Sequence, residues 1–214
     1  MIIARILAVV IGYFIGIFQT GYFYGQKNGI DIREHGSGNA GTTNTMRTLG
    51  KKAGIITFLG DCFKAVLAVV LVWLIFLNKY PEQVRILELY AGFGAVLGHN
   101  FPFYLKFQGG KGIACTAGVI ISVCPMAAPV CLVLFAGAVL ITKYVSVGSI
   151  LVVLAYLIQT VIFNHLGWFG LVGAGQIEFN IVTACFTLMA IWRHRANIVR
   201  LMNGTENKIG QKAK

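Results

Sequence analysis

The chain has 214 residues, of which 57% are hydrophobic and only 12% are charged, and its 18 lysines and arginines outnumber its 7 aspartates and glutamates. A soluble domain of this size has about a quarter of its residues charged, so the composition excludes a disordered chain and disfavours a soluble globular one. The formal net charge of +11 raises the question of nucleic acid. However, the basic residues lie between apolar runs and in the C-terminal tail, which is typical of a membrane protein, and no nucleic-acid partner is expected.

Six apolar segments follow one another along the chain, at 2–24, 53–77, 86–104, 113–142, 144–163 and 177–192. A helix needs about 20 apolar residues to cross the hydrocarbon layer of a bilayer. We expect the first segment to be a retained membrane helix, because no small-residue cleavage site precedes its polar end at Gln26. Segment 113–142 is too long for one crossing and contains Pro125 and Pro129, which predicts two short helices joined by a turn at 124–128.

Basic residues are concentrated in the loop 25–52 and in the tail 193–214. Basic loops of membrane proteins stay in the cytoplasm, so both segments should lie on the cytoplasmic side, which requires an odd number of crossings. Dividing segment 113–142 in two gives seven. We therefore expect an all-α integral membrane protein of about seven transmembrane helices, with the N-terminus outside and the C-terminus cytoplasmic, forming a single domain over residues 1–214.

Small residues and cysteines give further expectations about packing and metals. Gly12 with Gly16, and Gly94 with Gly98, have the small-xxx-small spacing that lets helices approach closely, so packing is their expected role. The cysteines lie inside apolar runs without a CxxC motif, which favours neither a disulfide framework nor a zinc site. The acidic residues are mostly isolated, so no metal and no cofactor is expected.

The densest polar cluster follows the first apolar segment, at 31–44, and includes the run Gly-Ser-Gly-Asn-Ala-Gly-Thr-Thr-Asn at 36–44. Its glycines allow backbone N–H groups to converge on one point, and such a nest binds anions. Arg47 follows closely and offers a bidentate partner for phosphate. The alternative is a flexible polar loop without a ligand.

A second glycine-rich loop follows the run Gly-His-Asn-Phe-Pro at 98–102 and reads Gly-Gly-Lys-Gly at 109–112. A phosphate can closely approach Lys111, because the lysine is flanked by glycines. The loop is not a Walker A motif, since the GxxxxGK[ST] spacing is missing and Ile113 occupies the hydroxyl position. Nucleotide hydrolysis is therefore not indicated.

Two further pairs of polar residues fall at helical spacing. Asp61 and Lys64 share one face of the second apolar segment, where a structural ion pair and a substrate contact are equally compatible with the spacing. His194 and Asn197 share a face at the start of the basic tail, for which the alternative is a basic membrane anchor.

Together these features indicate a cytoplasm-facing polar site with phosphate-binding groups, covered by apolar helices that are open to lipid. One candidate is an enzyme of lipid synthesis that joins a small phosphorylated alcohol to an acyl chain. The other is a membrane transporter of a phosphorylated small molecule. A transporter should carry polar groups midway through several helices, whereas here they collect at one face, which favours the enzyme.

The runs at 36–47, 98–112 and 193–197, together with Tyr-Val-Ser at 144–146 and Gly-Thr-Glu at 204–206, resemble the bacterial acyl-phosphate-dependent glycerol-3-phosphate acyltransferases, the PlsY family. The resemblance covers nearly the whole chain, and its motifs are long and occur in the same order.

The resemblance implies transfer of a fatty acyl group from acyl phosphate to the 1-hydroxyl of glycerol 3-phosphate. The products would be lysophosphatidic acid and inorganic phosphate, in the first acylation step of phospholipid synthesis. It also implies a multi-pass protein of the bacterial inner membrane whose active site faces the cytoplasm. An acyl-phosphate-producing enzyme would be its functional partner.

Site residues carried over from the resemblance fall in both loops and in the tail. Ser37, Arg47, Lys111 and His194 are the expected catalytic residues. The expected substrate-binding residues are Gly36, Asn39, Thr43, Gly110, Gly112, Ser146, Asn197 and Glu206, with Glu206 stabilising the tail against the site. The chain departs from the usual family pattern at Thr42, where alanine is common, and at Ala65, where glycine is common.

An acyl phosphate is a mixed anhydride, so its carbonyl carbon is already activated. The expected work of the enzyme is to orient two anions and to remove one proton from the attacking hydroxyl. Either His194 or the leaving phosphate could take that proton. No Ser/His/Asp set has a spacing that argues for an acyl-enzyme, so direct transfer is expected.

Overall fold

The computed structural model describes residues 1–210, so the last four residues of the predicted basic tail, 211–214, lie outside the described part. Helices make up 75% of the chain, and no strand occurs within residues 1–210. The α-helices are α1 (Ile2–Gly16), α2 (Thr20–Lys27), α3 (Thr42–Leu49), α4 (Lys51–Phe76), α5 (Val84–Asn100), α6 (Ile113–Val123), α7 (Ala128–Thr142), α8 (Val145–His165), α9 (Ala174–Arg193) and α10 (Arg195–Met202). Short 3₁₀ turns lie at Ile32–Glu34, Phe103–Leu105 and Pro125–Ala127.

Five segments of the described chain are long and apolar enough to cross a membrane. They are Ile2–Lys27, which contains α1 and α2, then α4, Pro125–Thr142, α8 and α9. Helix α6 is apolar but short, and α5 has 17 residues with Arg85 and Glu88 in its first two turns. The expected all-α membrane protein is confirmed, while a total of seven crossings, which requires α5 and α6, stays a prediction.

The predicted division of segment 113–142 is confirmed. Helix α6 ends at Val123, a 3₁₀ turn follows at Pro125–Ala127, and α7 begins at Ala128. Proline lacks the backbone N–H that a helix interior needs, so Pro125 is accommodated in the turn and Pro129 in the first turn of α7.

We expected the first apolar segment to form one helix. Instead it is divided, because α1 ends at Gly16 and α2 begins at Thr20. The carbonyl groups released by this break are satisfied by distant side chains: Tyr104 Oη donates to Ile17 O at 2.8 Å, and Lys64 Nζ donates to Phe18 O. A break inside an apolar span is stable only when such partners exist.

The tightest helix crossing lies between α1 and α5 and uses both predicted glycine pairs. A Cβ atom added to Gly12 would lie 2.0 Å from Ala91 O, and one added to Gly98 would lie 2.2 Å from Tyr13 O. Only glycine permits this approach, which confirms the packing role of the two small-xxx-small pairs. Later residues of α1 meet later residues of α5, so the two helices run parallel.

The main apolar core lies between α4, α5, α6 and α9, with Phe179 and Phe186 among its largest buried side chains. Helix α7 packs mainly on α8 and leaves side chains such as Val133 and Ile141 exposed. An apolar exposed surface of this kind fits a lipid environment. A cluster of polar residues lies instead at the end of the bundle where α1 stops and α6 and α8 begin.

Candidate active site

A cavity of about 140 Å³ opens at this end of the bundle. Part of its wall comes from the segment 36–47, which we call the first loop, and from the segment 109–112, which we call the glycine loop. The start of α6, the start of α8, residues of the tail and individual side chains of α4, α5 and α7 complete the wall. Every predicted site residue except Gly36 and Gly110 lies in this wall: Ser37, Asn39, Thr43, Arg47, Lys111, Gly112, Ser146, His194, Asn197 and Glu206.

The first loop is held in shape by Asn44, which is only 2% exposed. Its Oδ1 accepts a hydrogen bond from Ser37 N at 2.8 Å, and its Nδ2 donates to Ile32 O at 3.0 Å and to His35 O at 2.9 Å. Gly36 has a φ of +61°, and a Cβ atom there would lie 2.3 Å from Asn44 Oδ1. Gly36 is therefore needed for the loop to close on Asn44, a role that the sequence alone did not reveal.

Three helices begin at the cavity. The first residues of α3 (Thr42, Thr43), of α6 (Ile113, Ala114) and of α8 (Val145, Ser146) all belong to its wall. The N-terminal end of a helix carries a partial positive charge and unpaired N–H groups. Three such ends at one cavity make it suitable for anions, phosphate above all.

Cationic side chains add to this field. Arg47, Lys111 and Arg200 lie in the wall. Within residues 1–210, the side chain of Arg47 makes no hydrogen bond and no ion pair, so its guanidinium is available to a ligand. Burial, followed by repulsion from Arg200, lowers the pKa of Lys111 to about 8. The lysine is thus held in a place where its charge is costly unless an anion binds beside it.

The side chain of Glu206 connects the tail to other residues of the cavity wall through hydrogen bonds. Its Oε1 accepts hydrogen bonds from Asn197 Nδ2 at 2.6 Å and from Ser146 Oγ at 3.1 Å, while its Oε2 pairs with Arg200 Nε at 2.7 Å. Asn197 Oδ1 in turn accepts from Lys111 Nζ at 2.6 Å. The carboxylate therefore links the tail, α8 and the glycine loop in one polar network.

His194 is 3% exposed and stands between α9 and α10. Its Nδ1 lies 2.7 Å from Ala190 O, so Nδ1 carries the proton and donates it, and Nε2 is left as an acceptor. Burial, followed by repulsion from Lys111, lowers the pKa of His194 to about 4. The ring is therefore neutral at pH 7 and can accept a hydrogen bond from a substrate hydroxyl.

Gly110, the second predicted site residue outside the wall, is packed against a buried histidine. A Cβ atom on Gly110 would lie 1.9 Å from His99 Nε2. From the other side Arg193 donates hydrogen bonds to Gly109 O at 3.0 Å and to Gly110 O at 2.7 Å. The loop that carries Lys111 is thus held between His99 and Arg193, two residues that the sequence did not single out for this role.

The pair Asp61 and Lys64 forms the ion pair that their spacing suggested, with Nζ 2.9 Å from Oδ1. His99 Nδ1 lies 2.9 Å from the same ammonium, and Thr20 Oγ1 donates to Asp61 Oδ1 at 3.1 Å. Both Asp61 and His99 belong to the cavity wall. Within residues 1–210, no three His, Cys, Asp or Glu side chains come together as a metal site would require.

A helical bundle with apolar outer surfaces and a cationic polar cavity at one end fits an integral membrane enzyme that acts on an anionic substrate beside lipid. Comparison with known proteins specifies the class. The family model described as glycerol-3-phosphate acyltransferase matches residues 6–204. The chain belongs to the glycerol-3-phosphate acyltransferase family and is an acyltransferase of phospholipid synthesis.

Individual relatives agree along the whole chain. A glycerol-3-phosphate acyltransferase of Clostridioides difficile is 41% identical over 218 residues, covering 99% of this chain and 98% of the relative. One of Bacillus subtilis is 40% identical and covers 95% of this chain and 96% of the relative. The crystal structure of PlsY, an integral membrane glycerol 3-phosphate acyltransferase, in its glycerol 3-phosphate form has 30% identity and a TM-score of 0.81, with 96% of each chain covered. The lysophosphatidic acid form of PlsY has a TM-score of 0.77.

Proposed function

We propose that the protein transfers a fatty acyl group from acyl phosphate to the 1-hydroxyl of sn-glycerol 3-phosphate. The products are lysophosphatidic acid and inorganic phosphate, and the reaction is the first acylation step of bacterial phospholipid synthesis. The protein lies in the inner membrane with its cavity facing the cytoplasm, and an enzyme that makes acyl phosphate supplies its donor.

One observation carries this proposal: three helix N-termini and three cationic side chains surround a single cavity at the end of an apolar bundle. Both proposed substrates bring a phosphate group, and two phosphates close together need such a field to offset their repulsion. The related PlsY has been crystallised in a glycerol 3-phosphate form and in a lysophosphatidic acid form. These compounds correspond to the acceptor and the product of the proposed reaction.

The two loops offer different anion sites. In the first loop, the N-terminus of α3 lies with Ser37, Asn39, Thr43 and Arg47, and in the second, Lys111 lies at the N-terminus of α6 with Gly112. Ser146 and Asn197 border the second site through the Glu206 network. We assign one substrate phosphate to each loop, so that the acceptor hydroxyl and the donor carbonyl meet between them.

In the reaction, the hydroxyl oxygen attacks the carbonyl carbon and forms the ester bond. The bond between this carbon and the phosphate oxygen breaks, and phosphate leaves with the electron pair. His194 Nε2 accepts a hydrogen bond from the attacking hydroxyl and orients it. A histidine whose pKa is lowered to about 4 is a weak base, so the proton ends on the leaving phosphate, which becomes more basic as the bond breaks.

An acyl-enzyme is not part of this scheme. Ser146 Oγ donates a hydrogen bond to Glu206 Oε1 at 3.1 Å, and His194 Nδ1 donates a hydrogen bond to Ala190 O. None of the three serines of the wall, Ser37, Ser146 and Ser149, has a hydrogen bond to a histidine within residues 1–210. Direct transfer therefore fits the geometry better than a covalent intermediate.

The donor is tested with purified protein in detergent, glycerol 3-phosphate, and palmitoyl phosphate, palmitoyl-CoA or palmitoyl carrier protein. We expect lysophosphatidic acid from the acyl phosphate alone. Product from palmitoyl-CoA alone would overturn the choice of donor. Uptake of glycerol 3-phosphate into vesicles without acylation would support the alternative, a transporter of a phosphorylated small molecule.

The orientation is tested by cysteine labelling in intact cells. We expect cysteines at Gly38 and Thr205 to react only with reagents on the cytoplasmic side and a cysteine at Gln83 to react from outside, because the basic residues set this orientation. Labelling of Gly38 from outside would contradict both the seven-crossing arrangement and the cytoplasmic cavity.

A further inference from the structure

The buried ion pair beneath the glycine loop fixes the protonation of a second histidine. Lys64 is 4% exposed, and its ammonium contacts three groups: Asp61 Oδ1 at 2.9 Å, His99 Nδ1 at 2.9 Å, and Phe18 O. An ammonium has three protons to donate and accepts none. His99 Nδ1 must therefore be the acceptor, so the ring is neutral and its proton lies on Nε2.

The resulting Nε2–H has no hydrogen-bond partner within residues 1–210, although His99 is only 2% exposed and belongs to the cavity wall. The backbone of His99 is held as well, since its carbonyl oxygen accepts hydrogen bonds from Gln19 Nε2 at 2.9 Å and from Gly110 N at 3.1 Å. Gly110 lies directly against Nε2, where a Cβ atom would collide with it. Any side chain at Gly110 would therefore occupy the space next to this donor.

The two histidines of the cavity are thus set in opposite tautomers. In His194, Nδ1 donates to Ala190 O and Nε2 is an acceptor. In His99, Nδ1 accepts from Lys64 and Nε2 is a donor. A transfer reaction needs both kinds of group, because an acceptor must orient the attacking hydroxyl and a donor must stabilise the oxygen on which negative charge develops.

We propose that His99 is a catalytic residue whose Nε2–H donates a hydrogen bond to the carbonyl oxygen of the acyl donor. As the acceptor hydroxyl oxygen bonds to the carbonyl carbon, negative charge develops on the carbonyl oxygen. The electron pair on that carbonyl oxygen re-forms the C=O double bond when the bond to the leaving group breaks, and the leaving group departs with the electrons of that bond. His99 neither gains nor loses a proton. The inference rests on the proposed function only in placing an acyl donor in the cavity, and it holds for any activated acyl group.

Two substitutions separate this role from a merely structural one. His99→Asn places an amide oxygen near the position of Nδ1, where it can still accept from Lys64, but it removes the distal donor. His99→Gln reaches farther and places an amide N–H₂ near the position of Nε2, but it gives up the contact with Lys64. Activity and stability should therefore rank the two variants in opposite orders.

The experiment measures kcat and KM for both variants with the acyl donor that supports the wild-type enzyme, together with the melting temperature in detergent. We expect kcat of His99→Asn to fall by about a hundredfold to a thousandfold with little change in KM for glycerol 3-phosphate, and His99→Gln to retain at least tenfold more activity despite a lower melting temperature. Equal kcat values, or a higher kcat for His99→Asn, would overturn the proposal. A raised KM for glycerol 3-phosphate at unchanged kcat would also overturn the proposal, since it would show that the Nε2–H of His99 binds glycerol 3-phosphate instead of the acyl group.

Gly110→Ala provides a second measurement if a His99 variant does not fold. The added methyl group should displace the His99 ring and lower kcat in the wild-type background, but cost little further in His99→Asn, whose shorter side chain leaves room. An equal loss in both backgrounds would show that Gly110 acts independently of His99. Because the donor comparison above is a separate assay, a wrong acyl donor and a wrong role for His99 give different results.

Discussion

The first loop and the glycine loop both bring a cation to the cavity, but they hold it differently. Arg47 has no partner within residues 1–210, and its loop is shaped from beneath by the uncharged side chain of Asn44. Lys111 is held at its tip by Asn197 and through it by Glu206. The cation of the first loop therefore has no side-chain partner and lies near an uncharged residue. The cation of the glycine loop is buried and belongs to a hydrogen-bond network that contains a carboxylate. The difference predicts that the two cations contribute differently to stability.

The largest effect is expected from Lys111→Met. Loss of a desolvated charge-assisted contact should remove about 2 to 4 kcal/mol of transition-state stabilisation, which is about a thirtyfold to thousandfold fall in kcat/KM. The lowered pKa of Lys111 means that the folded protein without substrate disfavours the charged ammonium. The melting temperature of the variant should therefore stay level or rise. Steady-state kinetics and thermal unfolding in detergent check this. Near-full activity with a lower melting temperature would give Lys111 a structural role instead.

Arg47→Met should cost less, about 2 kcal/mol or about a thirtyfold fall in kcat/KM, since the guanidinium is only partly buried. The melting temperature should not change, because no side-chain hydrogen bond or ion pair within residues 1–210 is lost. Lys79→Met is the control, as it removes one exposed positive charge from a loop between α4 and α5, away from the cavity wall. Equal losses from Lys79→Met and Arg47→Met would mean that net charge alone matters.

The pH dependence separates the two cations further. The pKa of Lys111 lies at about 8 instead of 10.5, so kcat/KM should fall above pH 8 as the lysine loses its charge. The folded protein binds fewer protons than the unfolded chain between these two values, so the free energy of unfolding should rise over the same range. Activity and stability should therefore move in opposite directions. In Lys111→Arg the alkaline fall in kcat/KM should disappear, and its persistence would assign it to another group.

The smallest effect is expected from Ser37→Ala. A neutral hydrogen bond to substrate contributes about 0.5 to 1.5 kcal/mol, which is about a twofold to twelvefold change in kcat/KM. The loop itself should be preserved, because Asn44 holds Ser37 through its backbone N–H and not through its hydroxyl. A loss as large as that of Lys111→Met would give the hydroxyl a chemical role beyond binding.

Sequence patterns predicted those features that depend on local composition. Pro125 and Pro129 predicted the division into α6 and α7, and the glycine pairs predicted close helix packing, which the structure shows between α1 and α5. The break between α1 and α2 was missed. Its apolar sequence resembles a continuous span, and the groups that satisfy it, Tyr104 and Lys64, come from distant segments.

In the site too, local sequence patterns predicted some features, and others depend on contacts between distant segments. The motifs identified the side chains of the cavity wall, but the roles of Gly36 and Gly110 depend on contacts with Asn44 and His99 that no spacing reveals. The protonation of His99 likewise follows from three acceptors around Lys64, two of which lie far from it in sequence. Such information becomes visible only when the helices are packed.

The most direct test of two anion sites in one cavity is an initial-rate study in which glycerol 3-phosphate and acyl phosphate are both varied. If each loop holds one substrate and the acyl group passes directly between them, both substrates must be bound at once. The double-reciprocal plots should then intersect. Parallel lines, the pattern of a ping-pong reaction through an acyl-enzyme, would contradict the account.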